Sequence, residues 1–111
     1  MAGKSMRNAA RTDSNQALIV SAMRNMGAYV YLLKLPVDLL VGVQGQMALV
    51  EVKTLVGKRD PKAAPYTQLQ VDFMAAWTGP PVVTVCTVDE AVELVQRMRR
   101  QALVEKIIQG A

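Results

Sequence analysis

The sequence lacks histidine altogether and contains a single cysteine, Cys86, and these shortages exclude several kinds of chemistry. Without histidine, Ser-His and Cys-His catalysis and the usual zinc sites are excluded. One cysteine cannot form an internal disulfide, and Cys86 follows the apolar run 81–85, which is typical of a buried strand thiol. Any chemistry must therefore use carboxylates, lysine, hydroxyls, amides and a hard cation.

Aromatic residues are also scarce, at 5% of the 111 residues, so the core is expected to be aliphatic. The apolar fraction of 51% is ample for a core, and a charged fraction of 20% is too low for a disordered chain. No apolar run could span a membrane, and the basic start of the chain has no secretory signal. These features predict a protein of the reducing cytoplasm. Its net charge of +4 suits a polyanionic partner, although many domains reach that value.

The distribution of turn and breaker residues divides the chain into a flexible basic arm, residues 1–11, and a single domain, residues 12–111. Capping-box pairs and helical spacing predict helices at residues 13–27, 67–78 and 87–109. Runs rich in β-formers predict strands at residues 28–33, 37–43, 46–54 and 82–86. Residues 55–66 have the composition of a loop. The expected fold is α/β, in the order α-β-β-β-α-β-α, with a mixed sheet flanked by helices.

The tight-turn signal Gln44-Gly45 predicts how charged residues of the two flanking strands meet. A two-residue turn there places Asp38 directly opposite Glu51. Directly opposed residues of an antiparallel pair have their side chains on one face, roughly 5 Å apart at Cβ. Lys53 lies two residues after Glu51 and therefore projects from the same face. Two carboxylates and a lysine are thus expected to converge among apolar neighbours.

Such a cluster has a functional and a structural interpretation. Neighbouring carboxylates repel, and they stay ionised at low cost only with a cation between them. Oxygen ligands without histidine favour Mg²⁺ or Mn²⁺ over zinc. The structural alternative is an ordinary surface ion pair between Glu51 and Lys53, which contributes little. Because both strands are apolar on both faces, as in buried strands, the pattern favours a functional site.

Asp38, a β-turn and then Glu51-Val52-Lys53 resemble the PD-(D/E)xK nuclease signature, and the order of elements resembles the core of that fold. The chain is most similar to small stand-alone VRR-NUC proteins of phages and, more distantly, to archaeal-type Holliday junction resolvases. The resemblance covers residues 13–92. It implies a restriction-endonuclease-like core and divalent-metal-dependent hydrolysis of DNA phosphodiester bonds, with branched or junction DNA among the substrates. It also implies a phage-encoded protein in the host cytoplasm.

The resemblance also implies roles for single residues. Asp38, Glu51 and the backbone carbonyl of Val52 would bind Mg²⁺ or Mn²⁺, and no organic cofactor is needed. Lys53 would orient the attacking water or stabilise charge in the transition state. Gln70 lies where relatives often have a glutamine that positions the nucleophile or a phosphate. Its equal alternative is structural, because a threonine three residues earlier makes it part of a capping box.

Further contacts are predicted around this centre. Lys58, Arg59 and Lys62 follow the motif strand and are candidate DNA contacts, with a solvated loop as the alternative. Gln16 is a candidate contact from the first helix, although a capping box with Asp13 is favoured. A homodimer is expected because the last helix has apolar residues outside a single stripe, namely Leu94, Val104, Ile107 and Ile108.

The sequence departs from the family pattern in ways that support a rival function. Val37 separates Pro36 from Asp38, whereas the proline usually precedes the aspartate directly. The glycines that often precede the motif are missing, and neutral Asn15 and Gln16 stand where many relatives have a glutamate. A catalytically silent DNA- or protein-binding module that keeps the fold is therefore the first alternative. A small interaction protein without a nucleic-acid role is the second.

Overall fold

A mixed four-stranded sheet forms the centre of the computed structural model, which describes residues 15–57 and 59–110. Among these residues the helices are α1 (Gln16–Asn25), α2 (Gln68–Ala76) and α3 (Val88–Gly110). The strands are β1 (Tyr29–Leu32), β2 (Leu39–Val43), β3 (Gln46–Val52), β4 (Leu55–Val56), β5 (Lys62–Ala63) and β6 (Val83–Val85). The predicted α/β class is confirmed. The predicted arm, residues 1–11, lies outside the described residues.

The sheet has the strand order β1-β2-β3-β6. The pairs β1–β2 and β2–β3 are antiparallel, whereas β6 runs parallel to β3 after the crossover through α2. The predicted mixed sheet is therefore confirmed. The prediction of a plain loop at residues 55–66 is wrong, because β4 and β5 form a separate two-stranded sheet there. Gly57, with φ of +105°, begins the turn between them, and the prolines and charges of the segment concealed this short hairpin.

The β2–β3 hairpin has the predicted register. Gln44 and Gly45 both have positive φ, at 49° and 87°, which is the requirement of a two-residue type I′ turn. The pairing runs from Val43 opposite Gln46 to Leu39 opposite Val50. Extending the same register by one residue places Asp38 opposite Glu51, as predicted.

The two faces of this sheet have different coverings. On one face α1 packs against β1, and α3 packs against β2, β3 and β6. Burial of an aliphatic side chain on this face contributes about 1.5–3 kcal/mol relative to exposure. The strand residues of that core are Val30, Leu39, Val41, Val43, Ala48, Val50, Val52 and Val85. The opposite face holds the intervening residues, and Gln70 of α2 reaches it.

Helix α3 packs on the core through a single stripe of residues. The buried residues Ala91, Leu94, Val95 and Met98 have the i, i+3, i+4, i+7 spacing of a single helical face. The assignment of Leu94 outside the stripe is therefore wrong, because its position completes that face. No described helix is both long and apolar enough to cross a membrane.

The helix starts agree in part with the capping predictions. Thr67 and Gln70 form a reciprocal capping box at the start of α2. Thr87 and Glu90 exchange the equivalent hydrogen bonds at the start of α3. Helix α1 begins at Gln16 after Asn15, whose side chain makes no capping hydrogen bond. The predicted cap Asp13 lies outside the described residues.

Candidate active site

The two carboxylates meet at the open end of the β2–β3 hairpin, on the face away from α1 and α3. The backbone amide of Asp38 donates to Glu51 Oε1 at 3.2 Å. The amide of Val52 donates to Asp38 Oδ2 at 2.8 Å. Each carboxylate is thus held by the backbone of the opposite strand segment. The predicted convergence of Asp38 and Glu51 is confirmed.

Lys53 completes the cluster, as its position two residues after Glu51 predicts. Its Nζ lies 3.2 Å from Glu51 Oε2 and 3.2 Å from Gln70 Oε1. The same ammonium lies 5.4 Å from the centroid of the Tyr66 ring. Lys53 is 8% exposed and Glu51 is 4% exposed, so this is a buried ion pair. The alternative of an ordinary surface pair is therefore wrong for these two residues.

Gln70 confirms the capping-box interpretation of its sequence position, and its side chain also contacts Lys53. Its side-chain Nε2 donates to the Pro36 carbonyl at 3.4 Å. Its Oε1 accepts a hydrogen bond from the Thr67 backbone amide at 3.1 Å. The same Oε1 accepts from Lys53 Nζ. One buried side chain therefore caps α2, contacts the β1–β2 connection and fixes the lysine. Its direct part in catalysis stays a prediction.

Tyr66 is a member of the site that the sequence did not indicate. It precedes the α2 cap in a segment of loop composition, and neither its neighbours nor its spacing distinguish it. Its hydroxyl forms a hydrogen bond with Thr84 Oγ1 on β6. Burial raises the pKa of the Tyr66 hydroxyl, and the nearby Glu51 and Cys86 raise it further. The phenol therefore stays neutral and fixes its ring beside Lys53.

The start of α1 and Asp38 line one depression. A depression of about 860 Å³ is lined by both Gln16 and Asp38, together with Arg24, Lys34, Leu35 and Thr67. Gln16 Oε1 is buried without a hydrogen-bond partner. Neighbouring Asn15 donates from Nδ2 to the Cys86 carbonyl at 2.6 Å, but its Oδ1 also lacks a donor. The predicted helix-one residue Gln16 therefore lines the same depression as Asp38.

Two of the candidate DNA contacts, Arg59 and Lys62, lie in the β4–β5 hairpin. Lys58 falls outside the described residues. Arg59 and Lys62 are exposed, and Lys62 Nζ lies 3.5 Å from Asp60 Oδ2 in a solvated pair. A solvated hairpin describes Lys62 in the free protein, and phosphate binding by this segment stays a prediction.

The oxygen atoms at this centre fit a hard divalent cation. Within residues 15–57 and 59–110 no group of three or more His, Cys, Asp or Glu residues could hold a metal. Mg²⁺, however, is commonly bound through one or two carboxylates and keeps several waters. Each carboxylate oxygen has two lone pairs, so the hydrogen bonds on Glu51 leave capacity for coordination.

Comparison with known proteins does not assign a family or a function to this chain. A scan against protein-family models, a search of curated proteins and a search of solved structures each found no match. The motif, its register and the contacts around Lys53 are therefore the observations on which a function can be argued.

Proposed function

We propose that this protein is a divalent-metal-dependent nuclease with a restriction-endonuclease-like core that hydrolyses phosphodiester bonds of DNA. Mg²⁺ or Mn²⁺ is the proposed cofactor, and Asp38, Glu51 and the Val52 carbonyl are the proposed ligands. The phage origin and cytoplasmic setting implied by the PD-(D/E)xK resemblance belong to the same proposal.

The observation that carries the proposal is the buried Lys53–Glu51 pair beside Asp38. Removing charges from water costs several kcal/mol per ion, and well-packed apolar residues of similar volume are often at least as stabilising. A pair of this kind therefore contributes little net stability. Its second carboxylate neighbour makes the arrangement still less favourable without a cation. The cluster is better explained by chemistry that needs a fixed ammonium next to two fixed carboxylates.

In the proposed mechanism the chain's own residues hold the reacting groups in place. Asp38 and Glu51 would hold a divalent ion, which would supply polarisation of the scissile phosphate and activation of a water. Lys53, held by Glu51 and Gln70, presents a positive charge that stabilises the negative charge growing on the phosphate oxygens. Gln70 acts through Lys53 as a positioning residue, and the Tyr66 ring lies beside the ammonium.

A cleavage assay with a matched control tests the proposal. Plasmid, single-stranded and branched DNA are incubated with Mg²⁺ or Mn²⁺ and the wild type, Asp38→Asn plus Glu51→Gln, or Asp72→Asn plus Glu105→Gln. The control pair removes two carboxylates from exposed helix positions. We expect the site variant to lose cleavage by about 10³-fold or more and to lose Mn²⁺ binding in calorimetry, while the control retains both. Unchanged cleavage in the site variant would overturn the proposal.

The second candidate is a catalytically silent binding module. The observation that favours it is Gln16, a neutral residue that lines the same depression as Asp38. Many relatives of the resembled family have a carboxylate on this helix. A wild type that binds DNA but neither binds Mn²⁺ nor cleaves any of the three substrates would establish this alternative.

A homodimer through the end of α3 is part of the proposal. Leu103, Val104, Ile107 and Ile108 are 57%, 46%, 63% and 67% exposed in the single chain. Apolar residues grouped in this way are commonly covered by a partner. Light scattering on Ile107→Glu plus Ile108→Glu tests it. We expect a dimeric wild type at micromolar concentration and a monomeric variant, and a monomeric wild type would contradict the dimer.

A further inference from the structure

Two tyrosines stand exposed on β1, the edge strand of the sheet that carries the site. Tyr29 is 73% exposed and Tyr31 is 55% exposed. Among the described residues the stacked aromatic pair is Phe73 with Trp77, and it includes neither tyrosine. Large exposed aromatic surfaces are uncommon without a partner, and the chain has only three tyrosines.

The strand register places both rings on the same face as the proposed catalytic cluster. Tyr31 is paired with Leu40 and Tyr29 with Gly42. Leu40 and Gly42 follow Asp38 at intervals of two, so all three project from the face opposite the aliphatic core. Along the strand direction, the row of Tyr31 lies about 7 Å from the row of Asp38, and that of Tyr29 about 14 Å away.

The surroundings of the rings suit a polyanion. Gly42 has no side chain, so the surface beside Tyr29 is not filled by its strand partner. Arg24 Nη2 donates at 2.8 Å to the carbonyl of Val30, the residue between the two tyrosines. Lys34 is exposed, and its backbone amide donates to the Asp38 carbonyl at 3.4 Å. Aromatic rings beside cationic side chains form the usual surface for a single nucleic-acid strand.

We propose that Tyr29 and Tyr31 stack against unpaired bases, so that the substrate of the nuclease is a single-stranded segment of DNA. This inference rests on the proposed function. Bases inside a duplex are already stacked on one another and do not offer their faces to side chains. Rings that stand two residues apart on a strand can each accept one unpaired base, and the chain of phosphates then continues toward Asp38.

The test measures binding of a fluorescein-labelled oligothymidylate and of a blunt duplex of equal length, in EDTA to prevent cleavage. The proteins are the wild type, Tyr29→Thr plus Tyr31→Thr, and Tyr29→Phe plus Tyr31→Phe. Threonine keeps the preference for a strand but has no ring, whereas phenylalanine keeps the ring. We expect the threonine variant to bind the single strand about tenfold more weakly or worse, with duplex binding unchanged, and the phenylalanine variant to bind within about twofold of wild type.

A second measurement does not depend on the threonine variant folding. Tyr31→Trp should show fluorescence quenching by oligothymidylate beyond that of the wild type, whose one tryptophan is Trp77. Single-strand binding unaffected by loss of the rings, or an equal loss on duplex, would overturn the inference, as would the absence of extra quenching. A wild type that cleaves nothing, yet binds single strands through the rings, would refute the nuclease and retain the binding surface. If the protein cleaves DNA equally well with and without both rings, the nuclease is retained and the binding surface is refuted.

Discussion

The two faces of the β2–β3 hairpin are built from alternate residues of the same strands, yet they serve opposite purposes. One face presents Leu39 and Val50 to α1 and α3, and both are fully buried. The other presents Asp38, Glu51 and Lys53 to a shell of polar contacts. The aliphatic face is where burial stabilises the fold, whereas the polar face holds charges at a cost in stability. Such a division lets the site vary in chemistry while the opposite face maintains its geometry.

The largest effect should come from Lys53→Met, which breaks the polar face. Cleavage should fall by about 10²–10³-fold, because a fixed charge at the phosphate is lost. Stability should fall by about 3 kcal/mol, because Glu51 remains buried without its cation. Cleavage rates and urea unfolding measure the two effects.

A double variant separates these effects. Adding Glu51→Gln to Lys53→Met removes the unpaired charge, so most of the lost stability should return while cleavage stays lost. If the double variant is no more stable than Lys53→Met, the unpaired charge of Glu51 is not the cause of the lost stability. A return of cleavage would contradict the roles of both residues.

An intermediate effect is expected from truncating neighbouring leucines on opposite faces. Leu39 is fully buried in the core, and Leu39→Ala should cost about 2–5 kcal/mol. Leu40 is only partly buried on the site face, so Leu40→Ala should cost about 2 kcal/mol less than that. Urea unfolding of both variants measures the difference. Equal losses of stability would mean that side chains on the two faces contribute equally to the free energy of unfolding.

The smallest effect should appear in Tyr66→Phe as a change in pH dependence. Burial raises the pKa of Tyr66 above its ordinary value of 10.0, so the folded state holds the phenolic proton more tightly than the unfolded state does. That contribution is complete below pH 10 and declines as the pH rises from there through the folded-state pKa. Thermal midpoints of the wild type should therefore fall more steeply above pH 10 than those of the variant. Parallel curves would exclude Tyr66 as the cause.

The sequence predicted the hairpin and its charged cluster because both depend on local rules. Gln44-Gly45 sets the turn, and a period of two then determines which residues oppose Glu51. The contacts of Gln70 and Tyr66 with Lys53 were beyond such rules, because they arise from how α2 returns to the sheet. The same holds for Leu94, whose burial depends on where α3 crosses the strands. The short β4–β5 pair was missed because its residues have no alternation long enough to detect.

The two-residue turn at Gln44-Gly45 has a consequence for how this chain can change over generations. The turn lies at the opposite end of the hairpin from the two carboxylates. Its length nevertheless sets the register of β2 and β3, and so determines which residue lies opposite Asp38. Insertion or loss of one residue in the turn would shift the pairing by one and bring Asp38 opposite an aliphatic residue. Substitutions that keep both positive φ values leave the pairing intact. Over evolution, the amino-acid types in this turn can therefore vary, whereas its length of two residues is constrained.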